Sequence, residues 1–310
     1  MPSSEHRRAF LSGGIALGAA TLASSLPLGS ALAREVPDIA SVKGAAFSAA
    51  CKAVEALGGM GRFVPRGARV GLLINAPGIW KAPGSFTRPE VALAVAKMCL
   101  DAGAKELVSI RALAPNYWKR SPLADPYASV AKAVCECSVE WVERKVEKGI
   151  ALERAMVSKD LLDVDLFINV PVAKHHEGCV LTGNLKNFMG ALDRETCQFF
   201  HIGSGRSVKG EYYEDVDFLA QCIADVNTLR SPKLCVVDAT AVLANHGPQG
   251  PGDLLKLDKV VAGVDPVALD AYGATLHKRR PSEIAMIPKA VALGLGRADL
   301  ARVMVREIAA

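Results

Sequence analysis

Aromatic side chains are scarce: Phe, Tyr and Trp together make up 5% of the 310 residues. Ala, Val, Leu and Gly are plentiful instead, the composition of a globular α/β protein long enough for one large domain or two small ones. Basic residues never form a long run, and the formal charge of +5 is spread along the chain. That removes the electrostatic footprint of a nucleic-acid binder. Beyond the first 33 residues no segment has the length and apolar character of a membrane span. No C-x-x-C-x-x-C run exists, so the chain brings no cysteine motif for an iron–sulfur cluster. Cys135-Glu136-Cys137 is only a C-x-C, too little for a zinc site. Cys99, Cys222 and Cys235 lie in apolar periodic runs and read as small core residues.

What is present begins with a leader. Arg7-Arg8-Ala9-Phe10-Leu11 carries a twin arginine, a weakly hydrophobic Gly/Ala/Ser-rich stretch follows from Gly13 to Leu28, and Ala31-Leu32-Ala33 is a small-x-small cleavage site. This is similar to a twin-arginine export signal. The expectation is a signal over 1–33 and a single α/β domain over 34–310, exported to the periplasm or an equivalent compartment, with no membrane contact after signal removal. That route exports folded proteins, often with a cofactor already fitted, which favours a bound metal or organic group.

The mature chain alternates. Apolar spacing predicts a helix over Ser41 to Leu57, a buried strand over Arg69 to Ile74, and a helix from Thr87, as N-cap, to Leu100. Glu106 to Ile110 reads as a second strand, making a βαβ unit, and an irregular insertion follows from Ala112 to Asp125. Further strands are expected at Leu166–Val170, Lys233–Asp238, Lys259–Val264 and Val303–Ile308. Helices are expected over Pro126–Val134, Leu185–Leu192, Asp215–Leu229, Asp265–Lys278 and Pro288–Leu295. The stretch from Arg194 to Gly210 reads as irregular, and its Gly203-Ser204-Gly205 is weak as a phosphate loop because no apolar strand runs into it. The implied fold is α/β, a mostly parallel three-layer sheet with helices on both faces.

The chain turns on the segment after Val170. Pro171 ends the strand, and within fourteen residues Lys174, His175, His176, Glu177, Asn184, Lys186 and Asn187 crowd together. In parallel sheets ligands sit at the carboxyl ends of strands, and this loop leaves such an end. His201 and the glycine-rich loop Asn245-His246 are expected at the same edge. Imidazole serves as a metal ligand and as a proton shuttle near neutral pH. Arg88, at a helix start, could grip a carboxylate, and Lys174 and Lys186 add positive charge or an amine nucleophile.

The segment Asp165 to Gly190 resembles the signature of the family called domain of unknown function 362. Gly84-Ser85-Phe86-Thr87-Arg88-Pro89-Glu90 and the run from Val237-Asp238 through His246-Gly247-Pro248 to Asp265 and Asp270 do so too. Members often carry a lysine in the loop after the first strand, where this chain has Asn75, and many carry a ferredoxin-type segment that is absent here. Thr87-Arg88-Pro89, His176 with Lys186, and His201 also resemble, distantly, the nickel-pincer lactate racemases. That resemblance implies a lysine-tethered cofactor at Lys186 and a metal ligand at His201. The glycine-rich sequence before the racemase lysine is Gly183-Asn184-Leu185 here, and no histidine matches its second proton-transfer base.

The expected site therefore has Arg88 and Lys174 holding a small carboxylate-like anion and His176 moving a proton. Lys186, Asn187, Asn245 and His246 would hold a cofactor, and His175 and His201 would ligate a metal, with nickel, zinc or iron as the candidates. The functional classes are an isomerase- or racemase-like or redox enzyme, a non-catalytic ligand- or metal-binding module, and an accessory to a redox or maturation partner protein.

Overall fold

Ten strands form one mixed sheet. The computed structural model describes residues 35–78, 82–202 and 215–309. The leader expected over 1–33 and the glycine stretch 203–205 lie outside the described residues. The strands are β1 (Ile39–Lys43), β2 (Arg69–Ile74), β3 (Glu106–Ser109), β4 (Val134–Cys135), β5 (Trp141–Lys145), β6 (Arg154–Ser158), β7 (Leu166–Val170), β8 (Val172–His176), β9 (Val180–Thr182), β10 (Leu234–Leu243), β11 (Leu254–Gly263) and β12 (Val305–Ala309). The helices are α1 (Ala46–Ala56), α2 (Pro89–Asp101), α3 (Ala128–Ala133), α4 (Lys159–Asp163), α5 (Asn184–Asn187), α6 (Arg194–Ile202), α7 (Val216–Val226), α8 (Pro266–Leu276) and α9 (Met286–Ala292).

The main sheet runs β12-β1-β11-β10-β7-β2-β3-β4, with β8 joined to β10 and β9 to β8. Six of its pairings are parallel. Those of β11 with β1 and β10, and of β8 with β9, are antiparallel. β5 and β6 form a separate antiparallel pair.

Strand alternation divides the core between the two faces. Val70, Leu72 and Ile74 of β2 and Ile168 and Val170 of β7 pack with α1 and α2. Leu73 and Phe167 turn the other way, toward α7 and α9. β10 does the same: Val236 joins the first cluster while Cys235 and Val237 face α8. Helices thus cover both faces of a mostly parallel sheet, the α/β architecture expected.

Four local expectations change. Ile39–Lys43 is a strand between β11 and β12, not the start of a helix; a five-residue run with Ala40 and Val42 inward fits both periods. The segment after Pro171 is not a loop but the hairpin β8–β9. Pro171 does end β7, yet its carbonyl accepts from Asp238 N at 2.9 Å, so the chain continues along the long strand β10. Residues 194–202 form α6 where irregular chain was expected. Finally, the N-cap of α2 is Arg88, while Thr87 Oγ1 donates to the Val170 carbonyl at 2.8 Å instead.

Candidate functional site

Alternation along β8 decides which residues of the hairpin act together. Lys174 and His176 share one face of the strand and His175 takes the other. His176 lines a cleft of about 390 Å3 with Lys186, Arg111, His201, Asn75 and Thr182. The expected convergence of four histidines therefore splits. His176 and His201 meet with ring centroids 6.1 Å apart and planes 12° from parallel. His175 points away, and its Nδ1 accepts from Gly247 N at 3.2 Å.

His176 is almost entirely buried. Its Nδ1 accepts from Gly178 N at 3.1 Å, which fixes the neutral tautomer with the proton on Nε2. Burial, with the charges of Lys186, His201 and Lys174 close by, pushes its pKa down to about 2. The ring is therefore an uncharged donor throughout the physiological range. Lys186 Nζ lies 2.9 Å from Met189 Sδ and 3.5 Å from His201 Nε2. Cys197 also lines the cleft, but burial outweighs the nearby cations and pushes its thiol up to about 11. It is a thiol, not a ready thiolate.

Arg111 is the residue that the sequence analysis missed. It stands two residues beyond β3, at the carboxyl end of a parallel strand, where the strand-end rule applies as it does after β7. Among the described residues no carboxylate pairs with its guanidinium; the neutral thiols of Cys197 and Cys137 lie near it, and its charge is felt by Lys174. Burial lowers its pKa from the ordinary value, though a guanidinium stays charged. Gly190 makes room for it, since a Cβ there would come within 2.9 Å of Nη1.

Arg88, by contrast, leans on Glu90 at 3.4 Å, and its guanidinium does not line the cleft. Its backbone N–H is held by Asp238 Oδ2 at 2.7 Å, so its role is to set the start of α2. Lys174 is wholly buried and donates to the carbonyls of Ser85, at 2.5 Å, and Pro248, at 3.0 Å. Burial first, then the charges of Lys186 and Arg111, hold its ammonium well below the usual lysine range. It ties two loops to β8. Replacing it by Met should lower stability by about 2 kcal/mol, since two buried carbonyls lose a donor; urea unfolding measures this, and an unchanged midpoint would remove the tie.

Asn187 is a framework residue on the cleft floor. Its Nδ2 donates to the Leu73 carbonyl and to Asn169 Oδ1, and its Oδ1 accepts from Asn75 Nδ2 at 2.7 Å. Asn245 closes the β10–β11 loop through two hydrogen bonds with Asp253. His246 lies in that same loop and does not line the cleft; only Pro248 reaches it from there. Among the described residues no three His, Cys, Asp or Glu side chains gather as a metal would require. His175 and His201, the expected ligands, belong to opposite sides of β8. The described donors alone do not fit a metal held by protein side chains.

The turn carrying Lys186 is pinned from α8. Asp270 Oδ1 accepts from Asn184 N at 2.6 Å and Asn184 Nδ2 at 3.0 Å, and Oδ2 accepts from Leu185 N at 3.0 Å. Gly183 leaves space for that carboxylate: a Cβ there would lie 2.2 Å from Oδ1.

Residues 70–275 match the family described as Domain of unknown function (DUF362). The chain belongs to this family. The cleft of this DUF362 protein, from Asn75 to Pro248, is built within the matched residues. The chain is also similar to a thylakoid-associated protein of Synechocystis sp., 27% identical over 252 residues, which are 78% of this chain and 73% of that protein. Among solved structures, the lactate racemase apoprotein of Thermoanaerobacterium thermosaccharolyticum matches 77% of the chain at 9% identity with a TM-score of 0.46. A Thermotoga maritima protein matches 76% at 14% identity with a TM-score of 0.42. The DUF362 chain spans 56% and 60% of those two chains.

Proposed function

We propose that the cleft binds a small carboxylate-like anion and that the protein is an exported enzyme acting on it. The observation that carries this reading is Arg111: a guanidinium with no carboxylate partner among the described residues, facing the same cleft as Lys186. Arg111 is half-buried; holding a partly desolvated cation without a counter-charge is unfavourable, and a bound anion offsets that cost through bidentate, charge-assisted hydrogen bonds. Among the described residues, Glu177 is the one carboxylate lining the cleft, and it is exposed. His176, donating from Nε2, is the group next to the anion that moves a proton. Seating a negative charge beside it opposes the repulsion from Lys186 and raises its basicity.

The test is acetate binding by calorimetry. Arg111→Leu should weaken it about 30-fold, equivalent to about 2 kcal/mol. Equal affinity in the two proteins would remove the reading. A non-catalytic module would use the same contacts, and His176→Ala separates the two: an enzyme loses turnover and keeps affinity. A group attached at Lys186 Nζ, as the racemase resemblance implies, would sit against His201 and neutralise the amine. Extra intact mass mapping to Lys186 would therefore replace the unmodified-lysine site with a cofactor site. The export assignment rests on Arg7-Arg8 and the leader pattern, together with the thylakoid association named for the Synechocystis relative. No helix among the described residues is long and apolar enough to cross a membrane.

A further inference from the structure

The cleft is not the largest cavity at this edge of the sheet. A cavity of about 620 Å3 lies beside it, between the insertion after β3 and the segment around β4. A narrower one of about 290 Å3 lies between the two. Arg111 lines all three. Arg111 therefore stands where an occupant of one compartment would meet an occupant of the next.

The walls of the larger cavity differ from those of the cleft. Leu113, Trp118 and Val139 give it apolar surface, while Lys119 and Lys132, with Arg111, outnumber its single acid, Glu136. Its chemistry matches an apolar body carrying negative charge.

Val139 is a second, separate observation. It is 64% exposed and lines both the large and the narrow cavity. Its φ of +57° puts a β-branched residue in the left-handed region, a strained conformation that clusters at ligand sites. The strain holds a bare isopropyl group over the passage between compartments, where only an apolar ligand surface would cover it.

Size points the same way. Pockets of about 300–1,000 Å3 are those that enclose drug-sized ligands. The cleft alone is ample for a three-carbon acid, and the adjoining cavity is then unexplained.

Resting on the anion-binding reading of the cleft, we infer that the compartments form one ligand site for an amphiphilic anion with an aromatic or branched apolar body. Arg111 and Lys186 take the charged end. The body lies along Val139 and against Trp118, and Lys119 and Lys132 keep the mouth positive.

The experiment titrates the mature full chain with acetate and with 1-naphthoate, two carboxylates that differ in the apolar body. It follows the Trp118 indole N–H by NMR, assigned with Trp118→Phe. Naphthoate should bind at least tenfold more tightly than acetate and shift the Trp118 signal, which acetate leaves in place. Val139→Asn, which is neutral and adopts the left-handed region readily, should cost naphthoate about fivefold and change acetate less than twofold. Naphthoate binding no tighter than acetate, or leaving Trp118 unmoved, overturns the inference while the cleft reading stands on acetate and Arg111→Leu. Acetate binding indifferent to Arg111→Leu, or no binding of either anion, overturns both.

Discussion

Asp270→Ala should be the most damaging single substitution at the site, lowering stability by about 3–5 kcal/mol. The side chain is 1% exposed. Its two oxygens accept from the backbone N–H groups of Asn184 and Leu185 and from the Asn184 amide. Truncation leaves those donors buried, beside an empty space that Gly183 has no side chain to fill. The turn they hold is the one that presents Lys186 and Asn187, so the damage reaches function as well. Calorimetric unfolding should show a large drop in Tm, and amide exchange at Asn184 and Leu185 should quicken more than exchange in β2. Asp270→Asn keeps the volume but turns an N–H2 toward one donor, so it should lie between wild type and Ala. A Tm within a degree of wild type for the Ala variant would mean that the hairpin and α5 hold the turn without this carboxylate.

The sheet is legible in the sequence because its central strands are buried on both faces and read as nearly continuous apolar runs: Val70 to Ile74, Leu166 to Val170 with Asn169 as its one polar member, and Leu234 to Val237. The hairpin after Pro171 is not legible. Lysine and two histidines look like loop chemistry, and what lets Lys174 sit inside a strand is a pair of carbonyls from Ser85 and Pro248, each more than seventy residues away in the chain. Adjacency also misleads at His175 and His176. Neighbours in sequence read as partners, but a strand sends them to opposite faces. Arg88 and Arg111 differ in one respect that only the fold reveals: Glu90 accompanies the first, and among the described residues no carboxylate accompanies the second. Asp270 occupies a position in α8 where helical periodicity alone cannot tell a buried acceptor from a solvated acid. The bare Gly183 opposite it marks the difference, and that pairing spans eighty-odd residues.

Without a bound anion the protein should be acid-sensitive through His176. In the unfolded chain its pKa is the ordinary 6.5, and in the folded protein it is about 2. A depressed folded pKa means that the unfolded state takes up the proton first. The stability linked to this residue is thus fully present above pH 6.5 and is lost as the pH falls toward 2. At pH 5 the loss is about 2 kcal/mol, from one and a half units at about 1.4 kcal/mol each. Asp270 works against it. Burial raises its pKa from 3.8 to about 6 in spite of three donors, so its contribution is greatest below pH 3.8 and is lost as the pH rises through 6. Between pH 7.5 and 5 that group returns about 1.4 kcal/mol. Wild type should therefore lose only about 0.6 kcal/mol net from these two groups over that interval, while His176→Gln, which cannot titrate, should gain about 1.4. Urea unfolding at the two pH values measures both, and parallel pH dependence in the two proteins would show that His176 is not held neutral. A saturating anion should flatten the wild-type dependence, because charge seated between Arg111 and Lys186 raises the folded pKa of the ring beside it toward its unfolded value.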